Sequence, residues 1–79
     1  MQLTITYFAL LRDQRGLDTE TIDSPAATPA ELYTQLAEQH SFTLPSSALK
    51  VAVNDDFAHW TTPLKDGDTI VFIPPVAGG

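Results

Sequence analysis

Residues 69–79 read Thr-Ile-Val-Phe-Ile-Pro-Pro-Val-Ala-Gly-Gly, and they join a strand signal to an unusual chain end. The segment Thr69–Ile73 is apolar at successive positions, which is typical of a strand that is buried on both faces. Pro74 and Pro75 lack the backbone N–H that a sheet requires, and they favour an extended conformation. The sequence therefore predicts a central strand followed by an extended, flexible tail, residues 74–79.

Working outward, the amino-terminal residues predict a second central strand. Its inner face is expected to be formed by Leu3, Ile5 and Tyr7, with Phe8 on the outer face. A loop is expected over residues 12–16, because Gly16 can adopt a positive φ, and residues 19–23 have the pattern of a polar edge strand. These two strands are predicted to form a β-hairpin.

The strongest local signal is a helix start at Thr28–Glu31. A threonine at the N-cap, a proline at the first helical position and a glutamate that completes a capping box occur there together. The helix is expected to end near His40 and to pack through an apolar stripe that contains Leu32 and Leu36.

The remaining segments complete a small α+β fold. Residues 49–53 predict a strand, residues 57–60 a short edge strand, and Gly67 a turn before the last strand, while Trp60 is expected in the core. One main helix packed on one face of a mixed sheet of about four to five strands fits this order. The apolar first and last strands are expected side by side at the centre, which is the β-grasp arrangement. Residues 1–79 are thus predicted to form a single domain.

Composition and charge narrow the classes of partner. The net charge of −6 would repel nucleic acid and anionic membranes, and neither is expected as a partner. No stretch has the length of a membrane helix or the pattern of a signal peptide, so the chain is expected to be cytoplasmic. The sequence contains no cysteine, so any sulfur that it handles must come from elsewhere.

No cofactor or metal site is predicted in the chain itself. His40 and His59 are isolated in the sequence and lack the spacing of metal ligands. The turns at Gly16 and Gly67 lack the glycine spacing of a phosphate-binding loop. We therefore expect ATP to bind to a partner enzyme and not to this chain.

The chain end predicts a handle for covalent chemistry. Gly78 and Gly79 have no Cβ, which would let the terminus thread a narrow channel in a partner. A terminal carboxylate becomes reactive when ATP converts it to an acyl adenylate, which a sulfur nucleophile can attack. A Gly-Gly ending alone is also typical of a frayed terminus. Here the Pro-Pro exit from an apolar last strand favours a function for Gly79.

Three motifs resemble the small subunit of molybdopterin synthase, a sulfur carrier of the ubiquitin-like β-grasp family. They are Phe8-Ala9 with Arg12-Asp13 and Gly16, then Pro63–Asp68, and finally Phe72–Gly79. The resemblance spans the whole chain, although residues 42–60 match only loosely. It implies that Gly79 is adenylated by an enzyme related to those that activate ubiquitin, and is then converted to a thiocarboxylate with a persulfide as sulfur donor.

The resemblance also implies the acceptor of the sulfur. The large synthase subunit takes in the small subunit's terminus and transfers sulfur to a cyclic pyranopterin, within a heterotetramer of two small and two large subunits. The chain itself would then be non-catalytic. Its expected partner-binding residues are Pro74, Pro75, Val76, Ala77, Gly78, Phe8 and Arg12.

The predictions for two of those residues, Phe8 and Arg12, are based on how their side chains would behave at a protein surface. Phe8, together with an outward apolar residue of the last strand, is expected to form a docking patch beside the tail, unless the chain itself covers that face. Arg12 suits an interface pair with an acidic group, and a local ion pair with Asp13 or Asp66 is an equal alternative.

Other functions use the same activated glycine. A carrier for thiamine thiazole or cysteine synthesis would share the fold and the Gly-Gly end, although the Pro-Pro-Val sequence favours the molybdopterin branch. A protein modifier would instead join Gly79 to lysines of target proteins. An independent enzyme is disfavoured because no acid, base and nucleophile converge in so short a chain.

Overall fold

The computed structural model describes residues 1–75. In chain order the elements are β1 (Gln2–Tyr7), α1 (Ala9–Arg15), β2 (Thr19–Asp23), α2 (Pro29–His40), a 3-10 turn (Ser46–Ala48), β3 (Lys50–Val53), β4 (Asp56–Ala58) and β5 (Thr69–Ile73). Within this part of the chain no helix is long and apolar enough to cross a membrane.

The five strands form one mixed sheet in the order β2-β1-β5-β3-β4. β5 lies at its centre, parallel to β1 on one side and antiparallel to β3 on the other. The short β4 and the polar β2 occupy the edges, where unpaired backbone groups can be hydrated. The predicted central pairing of the first and last strands is therefore confirmed, and with it the β-grasp arrangement.

The core lies between one face of the sheet and α2. The inner face carries five residues that are at most 1% exposed: Leu3, Ile5, Tyr7, Ile70 and Phe72. From α2, Leu32 and Leu36 are fully buried, as predicted. Burial of apolar surface of this kind is the main stabilising term in folding.

Aromatic side chains extend the core beside the first half of α2. The Tyr33 ring meets Phe72 edge to face with 5.2 Å between centroids, and Trp60 stacks on Phe72 at 5.9 Å. The prediction that Trp60 belongs to the core is confirmed, since it packs against the buried cluster.

The main helix begins and ends where the sequence predicted. The backbone N–H of Glu31 donates to the Thr28 hydroxyl at 3.3 Å, so the N-cap satisfies one of the amides that a helix start leaves unpaired. Pro29 occupies the first turn, and the helix ends at His40, followed by Ser41 in the left-handed region at φ 57°.

The predicted antiparallel pairing of β1 with an edge strand at residues 19–23 is confirmed, but the expected loop between the two strands was wrong. Residues Ala9–Arg15 form the helix α1, and Gly16 ends it with φ 83°, so its positive φ serves a helix C-cap and not a hairpin. α1 is held because Leu11 is completely buried. Phe8 is correspondingly the N-cap of α1 and not a residue of the strand.

The start of β5 is fixed by a turn and a buried carboxylate. Gly67, at φ 88°, donates its N–H to Gln2 O at 2.7 Å. The Asp68 carboxylate accepts from the Asn54 side chain and from Lys65 N, each at 2.8 Å. These bonds join β5 to the start of β1 and to the β3–β4 turn, so the central strand is anchored at the end opposite the tail.

Candidate functional site

The tail begins at the middle of the sheet. β5 is hydrogen-bonded on both sides, and its register places Ile73 opposite Lys50 and Phe72 opposite Tyr7. Pro74, half-buried, and Pro75, exposed, follow directly. Because both flanking strands and the core fix β5, the base of the tail has a defined position and direction.

An apolar stripe crosses the sheet face that points away from α2. Phe57 on β4 pairs with Ala52, and Ala52 pairs with Val71 on β5. Phe57 is 77% exposed, the largest exposure among the large apolar side chains of residues 1–75. With Ile73, which lies at the tail end on the same face, these residues form what we term the apolar patch (Phe57, Ala52, Val71, Ile73).

Phe8 lies at the tail end of the same sheet. It follows Tyr7, whose register partner is Phe72, so it leaves β1 at the level where β5 reaches Ile73. Its side chain is 47% exposed, so the chain leaves it accessible, as the docking prediction requires. An exposed apolar group of this size beside an apolar patch is typical of an interaction surface.

Arg12 is on α1, and its ion pair differs from both local alternatives. Its Nε lies 3.7 Å from Asp18 Oδ1, and both side chains are more than half exposed, so the alternative of a local pair with Asp13 or Asp66 was wrong in its partner. The reason is the helix, which directs Arg12 toward the segment between α1 and β2. An exposed ion pair at this distance contributes about 0–1 kcal/mol to the stability of the fold. Arg12 can therefore leave Asp18 and pair with an acidic group on a partner.

A partly buried carboxylate binds a residue on either side of the segment Phe8–Gln14. Glu20 on β2 accepts from the Tyr7 hydroxyl at 2.7 Å, just before α1, and from Arg15 Nε at 2.7 Å and Nη2 at 2.8 Å, at its last residue. Only 14% of the Glu20 side chain and 24% of that of Arg15 are exposed. We term this group the carboxylate clamp (Tyr7, Arg15, Glu20).

Burial and hydrogen bonding in the carboxylate clamp shift the pKa values of Glu20 and Tyr7. The bidentate bond from Arg15 holds the pKa of the Glu20 carboxyl below its usual range, with a smaller contribution from the Tyr7 hydroxyl. Burial, followed by the bond to Glu20, raises the pKa of the Tyr7 phenol. Tyr7 therefore remains a hydrogen-bond donor and Glu20 an ionised acceptor at neutral pH.

This shift predicts a pH-dependent contribution of Glu20 to stability. A carboxyl whose pKa is lower in the folded chain stabilises the fold above its unfolded pKa, and this contribution is lost as the pH falls through the folded value. Wild type should be more stable than Glu20→Gln at about pH 7, and the difference should shrink as the pH is lowered through and below the usual range of a glutamate carboxyl, about 4.3. Urea unfolding of both proteins across this range measures it, and a difference that is independent of pH would contradict the assignment.

The charges are distributed unequally between the two ends of the sheet. Lys50, opposite Ile73, is exposed at the tail end. Asp23, Asp55 and Asp66 are exposed at the opposite end, where Asp23 also binds the amino-terminal ammonium at 3.1 Å. A partner that approaches the tail therefore meets the less acidic end of the molecule.

The structure brings together most of the described residues that the sequence singled out. Phe8, Pro74 and Pro75 lie at one end of the sheet, whereas Val76, Ala77, Gly78 and Gly79 lie outside the described residues. Phe57 was missed, although an aromatic residue in a short edge strand after a turn was a usable signal. The carboxylate clamp was also missed, because it depends on the unexpected helix α1.

Comparison with known proteins places the chain in a family. The ThiS family matches residues 5–79. The molybdopterin synthase sulfur carrier subunit of Escherichia coli (strain K12) is 31% identical over 80 residues, which cover 98% of this chain and 99% of that protein. The similarity therefore spans nearly the whole chain, and the family match reaches its last residue, Gly79.

Two solved structures have the same architecture. A chain in the complex of subunits 1 and 2 of the molybdopterin-converting factor from Helicobacter pylori 26695 is similar to this protein, with a TM-score of 0.69 and 30% identity over all of both chains. The small archaeal modifier SAMP1 from Haloferax volcanii gives a TM-score of 0.79 at 23% identity, again over all of both chains. The second likeness concerns the fold alone. With its central parallel β1–β5 pair and its full-length match, the chain belongs to the ThiS family of ubiquitin-like β-grasp proteins.

Proposed function

We propose that this protein is the sulfur carrier subunit of a molybdopterin synthase. The observation that carries the proposal is the full-length similarity to a molybdopterin synthase sulfur carrier subunit, together with a family match that extends to Gly79. The fold supports it, because β5 directs the chain end out of the centre of the sheet beside the exposed Phe8 and the apolar patch.

The proposed chemistry takes place at the Gly79 carboxylate. An activating enzyme related to ubiquitin-activating enzymes joins the carboxylate to the α-phosphate of ATP and releases pyrophosphate. A persulfide sulfur then attacks the acyl carbon and AMP leaves, which gives an acyl disulfide. A thiol of the partner enzyme then attacks the donor's sulfur in that bond, which releases the thiocarboxylate and leaves a disulfide on the partner. Within the large subunit this sulfur passes to a cyclic pyranopterin. The role of the chain is to present the terminus, and the catalytic groups belong to its partners.

The proposed docking surface for the large subunit consists of the apolar patch and Phe8. The Helicobacter pylori complex contains two subunits of the converting factor, and a large-subunit partner for this chain is supported by that similarity. We propose two small and two large subunits in the assembly, with Pro74–Gly79 inserted into the large subunit and Arg12 paired with an acidic group on it.

Phe8→Asp should weaken binding of the large subunit without unfolding the domain. Placing a carboxylate in a desolvated apolar interface removes a hot-spot contact of about 2 kcal/mol or more, which corresponds to at least about a 30-fold loss of affinity. Titration calorimetry with the large subunit from the same organism measures the change. Gln39→Asp, on the exposed side of α2, adds the same charge away from the patch and should bind as wild type does. Equal affinities of wild type and Phe8→Asp would contradict the docking surface.

Intact-mass spectrometry tests the function. The protein is incubated with the activating enzyme of its host, ATP and a persulfide donor, and the expected result is a mass gain equal to the replacement of one oxygen by sulfur. The thiocarboxylated product should then convert a cyclic pyranopterin to a dithiolene when the large subunit is added. If conversion fails where a known carrier is converted, the sulfur-carrier proposal is rejected. Amide conjugates between Gly79 and lysines of cellular proteins would identify a modifier instead.

A further inference from the structure

We propose that the carboxylate clamp is a positioning device for docking: Glu20 fixes both ends of the segment Phe8–Gln14 and thereby holds Phe8 in the orientation that a partner binds. This inference rests on the docking surface proposed above. It concerns residues that do not touch the partner in that proposal, and it assigns a function to the most extensively hydrogen-bonded side-chain group near the tail.

The first support is the way the clamp encloses the segment. Tyr7 immediately precedes Phe8, and Arg15 is the last residue of α1, yet both bind the same carboxylate. Since Glu20 belongs to β2 and is paired in register with Ile5, the carboxylate is itself fixed by the sheet. The last residue of β1 and the last residue of α1, on either side of the segment Phe8–Gln14, are thus bound to one carboxylate on a neighbouring strand.

The second support is that Phe8 lies beside a strained junction. Its ring is half-exposed and has no polar atom that could hold it through a hydrogen bond. The following residue, Ala9, has φ 51°, in the left-handed region that costs a residue with a side chain about 1 kcal/mol or more. A strained junction beside an exposed ring would relax unless its surroundings held it, and the clamp binds Tyr7, the residue that immediately precedes Phe8.

The third support is that the clamp can transmit its effect through specific bonds. The amides of Leu11 and Arg12 donate to Phe8 O at 3.1 and 3.4 Å, so the first turn of α1 fixes the Phe8 backbone. The last turn is fixed by Arg15. Loss of the clamp would remove the side-chain bonds of Tyr7 and Arg15 on either side of the segment Phe8–Gln14. Leu11 in the core would still keep α1 near the sheet.

A double-mutant cycle distinguishes positioning from a purely structural role. Glu20→Gln should weaken binding of the large subunit about 10-fold in the wild-type background, and by less than about two-fold in the Phe8→Ala background, since the lost coupling passes through Phe8. Tyr7→Phe, which removes only one of the three bonds, should have a smaller effect of the same kind. It also serves as the test variant should Glu20→Gln fail to fold.

A stability control and a readout without the partner complete the test. Ser24→Ala, at the opposite end of the sheet, removes the 2.6 Å bond to Gln35 and should lower stability without changing affinity. Hydrogen exchange in the isolated protein should show faster exchange of the Leu11 and Arg12 amides in Glu20→Gln than in wild type. Exchange equal to wild type, or an affinity loss that persists in the Phe8→Ala background, would overturn the inference. If Phe8→Ala alone binds as wild type does, the docking surface is refuted, and the inference with it.

Discussion

Removal of Gly79 is expected to abolish thiocarboxylate formation and to reduce sulfur transfer by more than about 100-fold. One residue of extended chain spans about 3.3–3.6 Å, so the deletion withdraws the terminal carboxylate by that distance from the site that activates it. A misplacement of only about 1 Å at a reacting centre can cost about 100-fold in rate. The new terminus would still be a glycine, Gly78, so the loss would report position and not the type of residue.

Two controls distinguish an effect of tail length from an effect on the stability of the domain. Ala77→Gly leaves the length of the tail unchanged and should be converted nearly as well as wild type. The deletion variant should unfold in urea at the same concentration as wild type, because the core is formed by residues of the helices and strands that precede the tail. Intact-mass spectrometry of the three proteins, with activating enzyme, ATP and persulfide, gives the result. Conversion of the deletion variant at the wild-type rate would contradict the role of Gly79.

The sequence predicted those parts of the fold that depend on local pattern. The alternation of Leu3, Ile5 and Tyr7 and the apolar run Thr69–Ile73 predicted two central strands, and Thr28 with Pro29 predicted the start of α2. In each case burial or hydrogen bonding is decided by the residues of the element itself. That is why period and capping signals were sufficient.

The helix α1 could not be predicted in this way. Its seven residues are too few for a stable isolated helix, and its stability comes from tertiary contacts of Leu11 and Arg15. Arg15 is bound by Glu20, a residue of the next strand, so part of what stabilises the helix comes from outside it. The carboxylate clamp and the true partner of Arg12 were unpredictable for the same reason.

The exposure of Phe57 likewise depended on register. An aromatic residue in a short edge strand points either into the core or outward, and one residue of register decides between them. The positive φ values of Asn54 and Asp55 produce a tight turn, so that β4 begins at Asp56 and Phe57 pairs with Ala52 on the outer face. The sequence contains these turn residues, but only the pairing shows which face Phe57 occupies.

Phe72→Ala is expected to destabilise the domain severely, whereas Phe57→Ala is expected to leave its stability nearly unchanged. Both residues are phenylalanines of the same sheet, but Phe72 is completely buried and Phe57 is 77% exposed. Truncation of a buried phenylalanine costs about 3–5 kcal/mol, from lost burial and from the cavity that remains. A small domain has a total stability of only about 5–15 kcal/mol, so this change is expected to unfold a substantial part of the population on warming.

The two variants should lose function for different reasons, one through unfolding and the other through weaker binding. Phe72→Ala removes the ring that contacts Tyr33 and Trp60 and that anchors the strand from which the tail begins. Conversion of this variant by the activating enzyme should therefore fall with the folded fraction, and it should recover on cooling to about 10–20 °C. Phe57→Ala should unfold within about 1 kcal/mol of wild type and still bind the large subunit more weakly at every temperature. Urea unfolding and calorimetry on the same two samples test this. Equal losses of stability in both variants would show that Phe57 serves the fold, and would remove it from the docking surface.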